Sequence, residues 1–298
     1  MDADLFFAKV YRKLYQWAQP RLLPRQLRAL QRRNEQSRES VLEASGPVVS
    51  LTTHGARIDS VHLAIESIAW GLRKPSRLIL WLDDAPRFND LPASLRRLQQ
   101  RGVEIALTEN FGPHTKYYPY VASVPSHEVP LVTADDDIVY PRWWLKRLAE
   151  AHAKWPDQIC CLRAHVVALS PADGTGGQAI LPYSGWPPCE SREPQRRHFA
   201  TGVSGVIYPP SFLDVLRAQG DAFRQCCPKA DDIWLHAMAL RAGLTVRQLG
   251  RLPRHFEVLP GTHEFGLVHS NGFDGGNDRQ IAVTYEPADL RKMAGAGE

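Results

Sequence analysis

The sequence has no long hydrophobic run. None of its apolar stretches approaches the roughly 18 residues that a membrane-spanning helix requires. The first residues also lack the uninterrupted apolar core and the small-residue cleavage site of a secretory signal peptide. We therefore expect a cytoplasmic protein, which could reach a membrane only as a peripheral protein on the inner face of the cell membrane.

Cysteines are few, and their spacing suits neither zinc nor disulfides. The five cysteines are the neighbouring pairs Cys160-Cys161 and Cys226-Cys227 and the single Cys189. No CxxC pair is present to begin a zinc site, and the count does not suggest a set of disulfides. Buried thiols in a reducing compartment are the expectation.

Positive charge is concentrated at the N-terminus. The net charge of the chain is only +4, but residues 1 to 40 hold nine Lys and Arg against four Asp and Glu. Large apolar residues alternate with these charges, and the pattern predicts an amphipathic helix, a break between Pro20 and Pro24, and a second helix. Such an arm either rests on an anionic membrane surface or packs on protein. Nucleic acid is not an expected partner, because its binding would spread Lys and Arg over a face of the fold.

From residue 46 onward, strand patterns alternate with helix patterns. Strands are predicted at 48–53, 77–82, 103–108, 129–134, 159–169, 199–210 and 245–249, and helices at 61–72, 91–102, 116–123, 143–155 and 230–243. This order predicts an α/β fold with a mostly parallel central sheet flanked by helices, after a helical arm at residues 1–45. Residues 170–198 and 255–280 are predicted loops. Ligands of such sheets bind beyond the carboxyl ends of the strands.

Three consecutive carboxylates follow one predicted strand, in the segment VPLVTADDDIVYP. They are Asp135, Asp136 and Asp137. At about 4 Å two such charges repel by roughly 1 kcal/mol in water and about 4 kcal/mol near a protein surface. Either Mg²⁺ or Mn²⁺, which prefers carboxylate oxygens, or an Asx-type turn would make the cluster tolerable.

Other polar clusters offer further candidates, each with a structural alternative. Asp231 and Asp232 open a predicted helix, where an N-cap explains one of them and leaves the other for general-base chemistry. In HTKYYPY, His114 and Lys116 could reach a diphosphate, or the Lys could be an exposed helix residue. In TGVSG, Gly202 either lets the backbone approach a ligand or marks a bulge.

The segments SLTTHGARI, VTADDDIVYPRWWL and ADDIWL together resemble the GT-A fold glycosyltransferases of the family 2-like group. The resemblance spans roughly residues 48 to 280 and implies a Rossmann-like GT-A domain at residues 46–298. It implies that the metal lies on Asp137, with Asp135 nearer the ribose, and that Asp232 is the catalytic base, with Asp231 as a cap or sugar ligand. It also implies a C-terminal metal ligand, His263 or His269. The implied donor-binding residues are Thr52, Thr53, His54, Arg57, Asp83, Asp84, His114, Lys116, Asp135, Asp136 and Gly202.

The resemblance predicts a glycosyltransferase dependent on Mn²⁺ or Mg²⁺. It would move a hexose from a nucleotide-sugar donor, UDP-linked, to a glycan or lipid-linked acceptor in polysaccharide biosynthesis, with inversion expected and retention left open. The first alternative is a sugar nucleotidyltransferase, which usually has a glycine-rich phosphate loop where SLTTHGARI has one glycine. The second alternative is a non-catalytic carbohydrate-binding protein of the same fold.

Overall fold

The computed structural model describes residues 3–171, 178–262 and 276–295. Eleven strands occur in these residues. They are β1 (Val48–Thr52), β2 (Arg77–Leu82), β3 (Val103–Leu107), β4 (Leu131–Thr133), β5 (Ile138–Val139), β6 (Ile159–Cys161), β7 (Ala164–Val166), β8 (His198–Ala200), β9 (Val206–Tyr208), β10 (Val246–Gln248) and β11 (Glu257–Val258).

Seven of the strands form one sheet in the order β10-β6-β9-β4-β1-β2-β3. The pairs β1–β2, β1–β4, β2–β3 and β6–β10 are parallel, whereas β9 runs antiparallel to both β4 and β6. The predicted mostly parallel α/β sheet is therefore confirmed. Because Thr133 at the end of β4 pairs with Val206 at the start of β9, the loop before β9 lies at the carboxyl edge of the parallel strands.

Helices cover both faces of the sheet. One of them, the ninth along the chain, supplies residues to the candidate active site. The helices are α1 (Ala3–Gln36), α2 (Val61–Ala69), α3 (Ala85–Asn89), α4 (Ala93–Gln99), α5 (Tyr118–Ser123), α6 (Trp144–Lys154), α7 (Pro210–Gln219), α8 (Phe223–Cys226), α9 (Asp231–Arg241), α10 (Gly276–Thr284) and α11 (Pro287–Ala294).

Alternate residues of the central strands enter two separate cores. Val48 and Ile79 pack in one core, and their neighbours Val49 and Leu78 pack in the other. Successive side chains of a strand point to opposite faces, so a sheet buried on both faces has continuous apolar strands. This is why VVSLT and RLILWL contain so few polar residues.

The N-terminal arm differs from its prediction, because the expected break between Pro20 and Pro24 is absent. Both prolines lie inside the continuous helix α1. The second half of α1 packs on the domain, where Leu30 is 2% exposed and the Asn34 side-chain amide donates to Glu66 Oε1 at 3.3 Å. Glu66 is also paired with Arg101. None of the described helices is long and apolar enough to cross a membrane.

The segment predicted as one strand over residues 199–210 is divided in the structure. β8 ends at Ala200, a 3-10 turn covers Gly202–Ser204, and β9 follows. Gly205 has a φ of +95°, and a Cβ there would lie 2.5 Å from Trp144 Nε1. The same indole nitrogen donates a hydrogen bond to the Ser204 carbonyl at 2.9 Å. Glycine is therefore required where this chain turns back into the sheet.

Two other predictions of local structure were wrong. Residues 159–169 form two strands, β6 and β7, that belong to different sheets. Residues 276–280, predicted as loop, begin helix α10. Neither segment has a periodicity strong enough to reveal these boundaries, which depend on the elements packed against them.

Candidate active site

Polar side chains from five segments meet at the carboxyl edge of the sheet, in what we call the carboxylate crevice. Its residues are Thr53 and Arg57 after β1, Lys116 at the end of a 3-10 turn, Asp135 to Asp137 after β4, Gly202 before β9, and Asp231 and Asp232 at the start of α9. Parallel strands end at the same edge of a sheet, and this brings together residues that are far apart in sequence.

The three consecutive carboxylates have different partners, which explains how three like charges are tolerated. Asp136 is buried and accepts hydrogen bonds from the Thr53 hydroxyl at 2.6 Å and from Arg57 Nη1 at 2.9 Å. Asp135 Oδ1 lies 3.0 Å from Lys116 Nζ. The Asp135 backbone N–H donates to the Tyr140 hydroxyl at 2.8 Å. The turn is thus held by two cationic side chains and by two hydroxyl groups.

Asp137 is the least compensated of the three. Its carboxylate lies 3.3 Å from Arg57 Nη1, a longer contact than the one between Arg57 and Asp136. Burial, together with the charges of Asp135 and Asp136, raises the pKa of Asp137 to about 6. A cation beside this carboxylate would stabilise its ionised form.

Lys116 lies at the centre of the crevice. Its Nζ is 3.0 Å from Asp135 and 3.4 Å from Asp231, and its side chain is only 14% exposed. Burial would lower the pKa of Lys116, but the charges of Asp135, Asp231 and Asp232 outweigh it and raise that pKa well above the ordinary value. The ammonium group is therefore charged at any physiological pH.

The acid pair at the start of α9 faces the crevice. The residue before the helix, Ala230, provides no side-chain cap. The carboxylate of Asp231 lies beside Lys116, and Asp232 Oδ1 accepts the Gly202 backbone N–H at 3.1 Å. Burial and the charge of Asp231 raise the pKa of Asp232 to about 8. Asp232 is thus mostly protonated at neutral pH. Its pKa lies close to the operating pH, where a carboxyl group can act both as an acid and as a base.

Gly202 leaves little space beside these groups. A Cβ at this position would lie 3.3 Å from Lys116 Nζ and 3.4 Å from Asp232 Oδ1. A larger side chain would displace the ammonium group or the carboxyl group. The glycine therefore sets how closely this loop approaches the polar centre.

His114, predicted near a diphosphate, is not among the residues that line the carboxylate crevice, and both of its ring nitrogens have protein partners. The ring is fully buried, with Nδ1 at 2.9 Å from the Tyr117 hydroxyl and Nε2 at 2.8 Å from the Cys227 carbonyl. It stacks on Phe223 with 3.9 Å between ring centroids. Burial lowers the pKa of His114 to about 4, so the ring is neutral at physiological pH.

Four predicted donor-binding residues lie at the edge of the sheet without joining the polar centre. The Thr52 hydroxyl donates to the Trp81 carbonyl at 3.1 Å, and His54 is exposed just before the turn at Gly55–Asp59. Asp83 follows β2 and is partly buried. Asp84 caps α3 by accepting the Arg87 N–H at 3.0 Å, which gives it a structural role.

The predicted C-terminal metal ligands, His263 and His269, lie outside the described residues. Within the described residues no three His, Cys, Asp or Glu side chains are grouped as a ready metal site. The donor set nevertheless fits a divalent cation that shares its coordination with water and a ligand, because the carboxyl groups of Asp135, Asp136, Asp137 and Asp231 outnumber the two cations that pair with them, Arg57 and Lys116. The carboxylates of Asp135 and Asp137 are the groups that would hold Mg²⁺ or Mn²⁺.

One residue of the site was missed by sequence reasoning. Arg163 lies between β6 and β7, and its Nη1 donates to the Thr201 hydroxyl at 3.1 Å, next to Gly202. Burial lowers the pKa of Arg163, and the nearby charge of Asp232 opposes that effect. A charged residue within the apolar run ICCLRAHVV was the available signal, since an Arg in a buried strand needs a polar partner.

Comparison with known proteins identifies solved structures with a similar fold, of which two are given. One is CMP:2-keto-3-deoxy-manno-octonic acid synthetase complexed with CTP, with a TM-score of 0.39 and 10% identity over 69% of this chain and 89% of that chain. The other is 4-diphosphocytidyl-2C-methyl-D-erythritol synthase, with a TM-score of 0.41 and 12% identity over 74% of this chain and 94% of that chain. No family model matches the chain, and neither does any curated protein sequence.

The predicted glycosyltransferase activity is contradicted by these findings, and the family 2-like assignment is not confirmed. Both similar structures are enzymes of the nucleotidyltransferase class, the first alternative that the sequence left open. At 10% and 12% identity the likeness concerns the fold alone. The chemistry proposed below is therefore argued from the side chains of this protein.

Proposed function

We propose that this chain is a metal-dependent sugar nucleotidyltransferase whose active site is the carboxylate crevice. It would join the nucleotidyl group of a nucleoside triphosphate to a sugar-type acceptor and release pyrophosphate. The observation that carries the proposal is the buried ammonium of Lys116, 3.0 Å from Asp135 and 3.4 Å from Asp231 at the carboxyl edge of the sheet.

The charges of the crevice suit a triphosphate bound together with a cation. Five carboxyl groups, of which that of Asp232 is mostly protonated, face two central cations, Lys116 and Arg57, so a polyphosphate alone would be repelled. Lys116 has three N–H donors, of which the hydrogen bond to Asp135 uses one, and Asp231 is an ion-pair partner at 3.4 Å. A further donor could bind a phosphate oxygen. A bound Mg²⁺ or Mn²⁺ would neutralise phosphate charge and the excess charge of Asp135 and Asp137.

The reaction assigns a role to each central residue. An acceptor oxygen attacks the α-phosphorus, the bond from that phosphorus to the bridging oxygen breaks, and pyrophosphate leaves with the electron pair. Lys116 and Arg57 stabilise the negative charge that develops on the leaving group. If the acceptor oxygen is a hydroxyl, the ionised form of Asp232 takes its proton.

The test is to incubate the protein with Mg²⁺, each of CTP, UTP, ATP and GTP, and a panel of sugar phosphates and acidic sugars. We expect pyrophosphate release that requires both the triphosphate and the acceptor, and that falls by roughly 100-fold or more in Lys116→Met. Lys146→Met is the matched control, because Lys146 is half-exposed on α6. Release of a nucleoside diphosphate from nucleotide sugars, without any pyrophosphate from triphosphates, would contradict the proposal.

We also propose that the first half of α1 rests on an anionic membrane surface. Phe6, Val10, Leu14 and Trp17 are 50%, 40%, 62% and 63% exposed, and their spacing places them on one side of the helix. Exposed basic residues, including Lys9 and Lys13, lie on the same part of the helix. An exposed apolar stripe flanked by basic residues is suited to the boundary between acyl chains and anionic headgroups.

This second proposal is tested by sedimentation with vesicles of phosphatidylcholine, with and without phosphatidylserine. We expect binding that requires the anionic lipid and that is lost in the double variant Leu14→Glu, Trp17→Glu. Leu72→Glu is the control, since Leu72 is 57% exposed and is not part of α1. Equal vesicle binding by the double variant would show that α1 packs on protein instead.

A further inference from the structure

A second polar region lies between α1 and the body of the domain, and we call it the arginine cavity. It is a cavity of about 60 Å³. At roughly 10–15 Å³ for each water, this is room for several waters or for a group the size of a phosphate. The lining residues are Ala8, Arg12, Tyr15, Gln16, Trp143, Arg147, Arg192, Gly250, Arg251, Leu252, Pro253, Arg254, His255 and Phe256.

The composition of this lining is strongly one-sided. It contains five arginines and a histidine, and among these described lining residues there is no Asp or Glu. The five arginines come from four separate parts of the chain, α1, α6, the loop before β8 and the segment 250–256. Guanidinium groups bind phosphate through pairs of parallel N–H donors, so their convergence on one cavity suits a multiply charged oxyanion.

Packing fixes the position of part of the cavity lining. Arg147 Nη2 donates to the Leu249 carbonyl at 2.5 Å, and its guanidinium lies 5.8 Å from the ring centroid of Trp143. Trp143 in turn meets Phe256 edge to face, with 5.7 Å between ring centroids. The cavity therefore has a rigid aromatic and cationic wall on the domain side.

The charge around His255 confirms that cations dominate this region. Burial, with the charges of Arg163 and Arg12, lowers the pKa of His255. The imidazole is thereby kept neutral beside the arginines, where it remains able to donate one hydrogen bond to an anion.

The arginine cavity and the carboxylate crevice share one structural loop. The Ser204 hydroxyl donates to the Arg254 carbonyl at 2.7 Å, and Ser204 belongs to the same turn as Gly202, whose N–H binds Asp232. The Arg254 N–H donates to the Leu162 carbonyl at 3.0 Å, next to Arg163. A ligand in the cavity would thus lie behind the loop that lines the crevice.

We propose that the arginine cavity is a binding site for a phosphate monoester group. The proposal goes beyond the function proposed above and does not depend on nucleotidyl transfer. Two sources of such a group are chemically equivalent at this wall: a small phosphorylated metabolite in solution, or the phosphate of an anionic lipid headgroup that reaches the cavity beside α1.

The direct test is calorimetric titration of the full chain with inorganic phosphate in the presence of EDTA, which prevents metal-assisted binding in the crevice. We expect saturable binding that weakens by about tenfold in Arg192→Gln, or about 1.4 kcal/mol, and similarly in Arg12→Gln. Both side chains are exposed at the cavity, so neither change removes a buried core group. Lys146→Gln and Arg217→Gln remove exposed charges outside the lining and should bind phosphate as the unmodified chain does.

Two results would overturn the proposal: no phosphate binding by the unmodified chain, or equal binding by the cavity variants and the control variants. Acetate that binds as tightly as phosphate would also overturn the assignment to a phosphate group. Retention of phosphate binding in Lys116→Met, with loss in Arg192→Gln, is the result expected for a site separate from the crevice. Failure to detect pyrophosphate release would count against the proposed function alone.

A second experiment distinguishes the two sources of phosphate. The same variants are sedimented with phosphatidylcholine vesicles that contain or lack phosphatidic acid. Weaker sedimentation of Arg192→Gln than of Arg217→Gln assigns the site to a lipid phosphate. Equal sedimentation, with the calorimetric loss retained, assigns it to a soluble phosphate monoester.

Discussion

The carboxylate crevice and the arginine cavity lie on either side of one loop, and their charges are opposite. The crevice gathers five carboxyl groups around Lys116 and Arg57, whereas the cavity gathers five arginines, with no acid among its described lining residues. The net charge of +4 reveals neither region. The difference teaches that this domain keeps its carboxyl groups and its arginines in two separate regions. One region is suited to a metal cation and the other to an oxyanion.

The largest expected effect comes from removing the cation that holds the Asp triplet. Arg57→Gln would leave the buried charge of Asp136 without the contact at 2.9 Å. Breaking a buried pair in this way should lower the free energy of unfolding by about 3–5 kcal/mol. Urea denaturation at pH 7 is the measurement. Arg217→Gln, which removes an exposed arginine, should change the free energy of unfolding by less than about 0.5 kcal/mol.

A double variant checks that the loss arises from the pair. Adding Asp136→Asn to Arg57→Gln should recover part of the lost stability, because the uncompensated charge is then gone. Simple additivity of the two single losses would show that Arg57 and Asp136 act independently, and that the crevice does not need its cations as proposed.

A divalent cation should stabilise the crevice and have no effect through the cavity. With Mn²⁺ at 100 times its dissociation constant, we expect about 2.7 kcal/mol of added stability, seen as a rise in the thermal midpoint. Asp137→Asn should remove most of this rise, whereas Asp90→Asn, at a side chain that is 91% exposed, should retain it. An undiminished rise in Asp137→Asn would place the cation elsewhere.

A further expected effect concerns Asp232 and depends on pH. The pKa of Asp232 is about 8 in the folded protein, above the value of about 3.9 in an unfolded chain, so between pH 4 and pH 8 folding takes up a proton and the free energy of unfolding falls as the pH rises. The carboxyl group therefore contributes less stability, and then a penalty, as the pH rises through this window. Asn mimics the protonated acid and removes the pH dependence.

We expect Asp232→Asn and the unmodified chain to have the same free energy of unfolding near pH 4. At pH 5 the variant should already be more stable by about 1.5 kcal/mol, and the difference should grow as the pH rises toward 8. Urea denaturation across this pH range measures the difference. A variant that is less stable at pH 8 would mean that the ionised carboxylate of Asp232 is stabilised by Lys116 rather than strained by burial and Asp231.

Much of the fold could be predicted from the sequence, because hydrophobic periodicity is a local property. The runs VVSLT and RLILWL identified β1 and β2, and the WWLKRLAEAHAKW pattern identified α6 to within two residues. The predicted break in α1 was wrong because packing of Leu30 and Asn34 on the domain compensates for two prolines inside the helix. Tertiary contacts of that kind cannot be read from a helical pattern.

The candidate site was only partly predictable. The Asp triplet was found because three like charges at the end of an apolar strand are conspicuous, and Lys116 because it stands in a polar cluster. His114 stands in the same cluster but is buried against Phe223, and nothing in the local sequence separates the two. Arg163 and the arginine cavity were missed because their residues are scattered along the chain.

The sequence by itself determined the strand and helix order and placed three carboxylates at a strand end, because both follow from the spacing of apolar and polar residues along the chain. The tertiary structure decided which charges meet: Arg57 reaches Asp136 across 79 positions, and Gly202 reaches Asp232 across 30. The arginine cavity depends on α1 lying against the segment 250–256, about 240 residues later in the chain. Such pairings arise from packing the sheet and its helices around two cores, and this is why only the folded chain shows a cation site beside an anion site.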